Sequence, residues 1–90
     1  MKPFDPWPLL LRQIADQNSL PEPLTPLKTV ILSQDEATRL RFNSLHEVAI
    51  STATISFQDR SGQQWEGTLE WFHWLVDDAL EITELRLVPA

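Results

Sequence analysis

A chain of 90 residues with 13 acidic and 7 basic side chains, a formal net charge of −6, is one domain and a poor match for polyanions, whose binding is driven by Lys and Arg on phosphates. With no cysteine it has no disulfide, no thiol nucleophile and no zinc site of the finger or ribbon kind. At this length roughly 60–65% of the unfolded chain's surface can be buried on folding, enough to need no metal or disulfide staple.

The opening Met1-Lys2-Pro3-Phe4-Asp5-Pro6 carries no long apolar run of the secretory type, and no segment approaches the ~18 apolar residues of a membrane span. A cytoplasmic location without membrane association is expected. Asp5-Pro6-Trp7-Pro8 reads as a helix entrance, because Asp caps well and Pro is tolerated in the first turn. Trp7, Leu10, Leu11 and Ile14 fall at helical spacing, which predicts an amphipathic helix ending near Asn18. A helical arm thus occupies 1–20. Over 21–27, Pro21, Pro23 and Pro26 favour a stiff extended connector to a sheet-containing core over 28–90.

Lys28-Thr29-Val30-Ile31-Leu32 is strand material. Ser33-Gln34-Asp35-Glu36 then matches a capping box, and with the Ala37/Leu40 spacing it predicts a short helix over 34–43. Thr38-Arg39-Leu40-Arg41-Phe42 also alternates, however, so that this stretch and Val30–Leu32 can instead form two arms of a hairpin. Arg39 and Arg41 would project together from such a strand and, with Lys28, are the one basic concentration.

Glu47–Gln58 is a strand whose apolar parity changes between Ile50 and Ala53, which predicts a bulge or bend near Ser51-Thr52. Asp59-Arg60-Ser61-Gly62 forms a hairpin loop, with Gly placed for a positive φ. The returning strand, Trp65 to Val76, should set Trp65 and Leu69 on the face of Ile55 and Phe57. From Trp71 onward this strand is apolar on both faces. Phe72 and Trp74 are therefore either covered, with the N-terminal helix as the expected cover, or left as an exposed patch for a partner. Asp77-Asp78-Ala79 makes a turn. Leu80–Val88 returns as a last strand with a parity slip between Ile82 and Leu85, or else as a helix capped by Asp77. The fold expected is α+β: a helix, a Pro-rich connector, then a curled antiparallel meander of three or four strands with one inserted helix, the shape of small barrels.

Chemistry is sparse. His46 and His73 have no ligand or nucleophile pattern around them, and their type in an apolar setting points to hydrogen-bonded structural residues. Glu66 and Glu70 would stand about 13 Å apart along a strand, beyond the range of a glycosidase pair. No phosphate loop or nucleophile elbow is present. No enzymatic activity, metal or cofactor is expected. From Asp59 to the end, seven acids face only Arg60 and Arg86, so the C-terminal half should be acidic. The expected function is a small acidic, non-enzymatic protein-interaction module, an adaptor, regulator or inhibitor of a larger protein that has a basic surface. Trp71, Phe72, Trp74 and Leu75 would be its anchors, and Glu66, Glu70, Asp77 and Asp78 would steer the approach. The alternatives are a nucleic-acid-binding small barrel using Arg39 and Arg41, and a self-assembling module that forms a homodimer through Phe72 and Trp74.

Overall fold

A computed structural model describes residues 4–90; the first three residues of the expected helical arm lie outside the described residues. One helix precedes four strands: α1 (Trp7–Asn18), β1 (Thr25–Arg41), β2 (Ser44–Gln58), β3 (Gln64–Trp74) and β4 (Ala79–Pro89). The strands form a single antiparallel meander in the order β1-β2-β3-β4, open at both edges rather than closed into a barrel. Among the described residues no helix is long and apolar enough to cross a membrane.

Helix α1 starts at Trp7, with Pro6 rather than the expected Asp5 at the N-cap and no side-chain cap bond. Asp5, one residue earlier, still accepts the Trp7 backbone N–H through Oδ1 at 3.1 Å, satisfying one of the donors that a helix start leaves free. The helix ends at Ser19 in a left-handed conformation, whose N–H donates to Ala15 O. Residues 20–24 lead to β1, which opens at Thr25 and so takes in the last part of the expected connector. Pro26 is accommodated because β1 is an edge strand and the ladder slips between Pro26 and Lys28.

No helix forms over 34–43. β1 runs unbroken to Arg41 and returns through a two-residue turn, Phe42-Asn43, with φ of 56° and 62°, the primed geometry that suits twisted hairpins. The capping-box signal loses because a helix here would bury no apolar stripe, whereas the alternating register pairs Ala37 with Val48 and sets Arg39 and Arg41 on the face of Phe72 and Trp74. Tertiary pairing overrides a local preference.

Nor is there a bulge in β2. Its register with β3 is continuous from Val48↔Trp74 to Gln58↔Gln64. The apolar parity changes because the sheet buries opposite faces at its two ends. At one end Ala53, Ile55 and Phe57 join Leu69, Trp71 and Leu80 beneath Leu10, Leu11 and Ile14 of α1. At the other, Val48 and Ile50 share the reverse face with Phe72 and Trp74. The irregularity near this crossover lies in β1, between Ile31 and Ser33. The slip expected in β4 is present: Thr83 is the extra residue between Ile82 and Glu84, and its hydroxyl donates to Glu70 Oε1 at 2.7 Å.

The β2–β3 loop is organised by Asp59, only 6% exposed. Its Oδ1 accepts from Ser61 N at 2.8 Å, Ser61 Oγ at 2.5 Å and Gln63 N at 3.2 Å, and its Oδ2 accepts from Trp65 Nε1 at 3.1 Å. These bonds, the Ser61 hydroxyl first and the Trp65 indole next, hold the carboxyl below its ordinary value against the opposing effect of burial. Gly62, at φ 94°, supplies the left-handed corner.

Candidate functional site

The two ends of the sheet differ in chemistry. Under α1 the packing is closed, and Trp7 meets Trp71 edge-on with centroids 5.4 Å apart. At the opposite end the β1–β2 hairpin extends past β3, whose last pair with β2 is Trp74↔Val48. Leu40↔Leu45 and Arg39↔His46 belong to this projecting arm.

The reverse face of the arm end is covered by arginine rather than by the helix. Arg39 lies 5.2 Å from the centre of the Phe72 ring, and Arg41 lies 4.6 Å from that of Phe42 and 4.8 Å from that of Trp74. The flat guanidinium, weakly hydrated compared with an ammonium, can sit between aromatic faces without losing its charge. Arg41 Nη1 also donates to Asp77 Oδ1 at 3.0 Å, tying the arm to the β3–β4 turn. Trp74 Nε1 donates to Glu81 Oε2 at 3.3 Å. His73 Nε2 and Asp78 Oδ1 share a hydrogen bond of 2.6 Å, and the Phe4 ring stacks on the imidazole at 4.8 Å. His46 is engaged by the Ser44 hydroxyl at 2.8 Å. The two histidines are thus far apart in role, and among the described residues no group of three or more His, Asp or Glu could hold a metal ion.

The expected anchors separate on this framework. Trp71 is a core residue at 3% exposure, facing α1, because its parity is that of Leu69. Trp74, at 6%, is buried by Arg41, and Phe72 is half-buried beneath Arg39. Of the four, only Leu75 is open to solvent. Asp77 and Asp78 stand on the turn beside it. Glu70 is half-buried and accepts from Thr83, whereas Glu66 pairs with Val88 at the far end of the sheet, about 26 Å from Trp74 by strand rise. The eight residues do not form one surface.

What the arm leaves open was less visible in the sequence. Leu40, Phe42 and Leu45 are 69–70% exposed, and Leu75 and Val76 on the adjoining turn are also exposed. Leu75 N–H donates to Glu47 O at 3.2 Å, which brings the turn against the arm. Leu40 and Phe42 stand out in the alternation of Thr38–Phe42; for Leu45 no sequence signal separates it from a buried strand residue. Phe42 has a further peculiarity. It sits at φ 56°, a conformation that costs an aromatic residue roughly 1–2 kcal/mol, and such outliers gather at functional positions.

A second concave feature lies on the reverse face at the other end of the sheet. It is a groove of about 450 Å³ between Lys28 and Val30 of β1 and Arg86 and Val88 of β4, floored by Thr54, Ser56 and Thr68. It is shallow and open, and Glu66 on its rim offsets one of its two cations.

The molecule is therefore a helix-backed, four-stranded antiparallel sheet with a projecting apolar hairpin. Comparison with protein families, with curated proteins and with solved structures finds no match to the chain.

Proposed function

We propose that the protein is a non-enzymatic interaction module that engages a larger protein through the end of its β1–β2 arm. Leu40, Phe42 and Leu45 are the anchors, with Leu75 and Val76 beside them. The observation that carries this function is the gathering of these five exposed side chains at one end of the sheet, among them Leu40, Phe42 and Leu45, the three most exposed large apolar side chains of the described residues. Monomeric domains rarely leave such groups contiguous and open without a partner for them, and a few central apolar or aromatic residues carry most of the energy of a typical interface.

Asp77 and Asp78 flank the anchors, and the net charge of −6 favours a partner with a basic face, which would speed encounter more than it tightens the complex. Phe72 and Trp74 act from beneath, by holding Arg39 and Arg41 and hence the arm. Nucleic acid is a poor candidate, since Arg41 is engaged by Asp77 and acids outnumber bases.

Affinity purification from the native cell tests this function. A chain carrying L40S, F42S and L45S should fold yet lose the partners that the unaltered chain retains. Identical partner sets for the two chains would refute it.

A further inference from the structure

Among the described residues β1, at 17 residues, is the longer of the two edge strands, and its outer edge differs from that of β4. On β4, Gln13 of α1 donates to Leu80 O at 3.1 Å and the Thr83 bulge interrupts the strand, two devices that blunt an edge against pairing. On β1 the irregularities fall at Pro26/Lys28 and Ile31/Ser33. From Ser33 to Arg41 the ladder is regular, and α1 leans toward β4 rather than over this segment.

We propose that Ser33–Arg41 pairs antiparallel with the same segment of a second copy of this chain, about a two-fold axis at Ala37, so that two sheets join edge to edge. The register follows by elimination. In an antiparallel pair, facing residues both turn their backbone groups toward the partner strand or both turn them away. Two copies of one strand can satisfy that only if the axis passes through a residue, not between two. An axis at Asp35, Glu36 or Arg39 sets like charges directly against each other, which is destabilising. An axis at Thr38 sets Asp35 against Arg41, which is already ion-paired to Asp77, whereas Arg39 rests on the Phe72 ring with no carboxylate partner among the described residues.

An axis at Ala37 sets Asp35 opposite the partner's Arg39, and by symmetry Arg39 opposite the partner's Asp35, with the small Ala37 side chains meeting on the axis. Among the described residues neither Asp35 nor Arg39 is ion-paired within its own chain. Gln34 faces the partner's Leu40, and Glu36 faces the partner's Thr38, so no like charges are opposed.

Sedimentation equilibrium of the full chain, with a charge-swap cycle, decides the matter. The unaltered chain should dimerise reversibly. D35R alone, at an exposed position where folding is not at stake, should weaken the dimer by roughly tenfold or more, since two attractive pairs become repulsive. R39D alone should do the same, and D35R/R39D together should restore the dimer. A monomer at every concentration, single swaps that dimerise as tightly as the unaltered chain, or a double swap that fails to recover would each overturn the proposal.

Discussion

Arg41 and Trp74 form the contact that closes the second face of the sheet: the guanidinium sits 4.8 Å from the indole centre, with Asp77 Oδ1 3.0 Å from its Nη1. The hydrophobic surface that the sequence places at Phe72 and Trp74 is thereby sealed by a charged residue of a neighbouring strand pair. The ion pair is partly exposed, so its own worth is at most about 1 kcal/mol; the stacked contacts add about 0.5–1 kcal/mol each. R41A should therefore lower stability by about 1–2 kcal/mol in urea unfolding, and R41K, which keeps charge but not the planar stack, should recover less than half. No change in R41A would show that the arm is not fastened here.

Phe42 combines a backbone penalty of roughly 1–2 kcal/mol with a contact to Arg41 of about 0.5–1 kcal/mol at an exposed site. The penalty outweighs the contact, so F42N, which tolerates the left-handed turn, should leave the chain as stable or more stable by up to about 1 kcal/mol. The same substitution should reduce partner recovery. Thermal unfolding read alongside affinity purification separates the two effects.

Gly67 is a packing requirement rather than a flexible point. A Cβ built there would lie 1.9 Å from Arg86 O and 2.9 Å from Leu87 Cδ2, and a backbone carbonyl cannot step aside without parting β3 from β4. G67A should cost about 1–3 kcal/mol, the range of overpacked sites, measured as a shift in urea midpoint.

The carboxylate of Asp59 accepts four hydrogen bonds as an anion, and its folded-state pKa is lowered from the ordinary 3.8. Its contribution is therefore complete above the unfolded value and is lost as pH falls through the lower, folded value. Stability should drop in acid below about pH 4, with Trp65 fluorescence reporting the loop. In D59N this part of the pH dependence should vanish and the chain should be weaker at neutral pH, because an amide presents one acceptor oxygen where the loop offers donors to two. A D59N acid limb that matches the unaltered chain would show that other carboxylates set it.

Much of the fold is legible in the residues themselves. The Trp7/Leu10/Leu11/Ile14 spacing gives α1, the Asp59–Gly62 loop gives the β2–β3 hairpin, and the slip beyond Ile82 gives the Thr83 bulge. Two features are not. The parity change in β2 has two physical origins, a bulge or a change in which face is covered, and periodicity alone does not distinguish them. Ser33–Glu36 carries an authentic capping pattern, and only the pairing of Ala37 with Val48 and the stacking of Arg39 and Arg41 decide against it. The anchors missed in the sequence follow from that choice: once 34–43 is a strand and turn, Leu40 and Phe42 stand outside.

Nuclear magnetic resonance of residues 34–43 tests this arrangement most directly. The Cα shifts should be those of an extended strand through Arg41, and the Arg41 side-chain protons should be moved upfield by the Trp74 and Phe42 rings. Helical Cα shifts over 34–43, or Arg41 protons at the values of a free arginine, would contradict it.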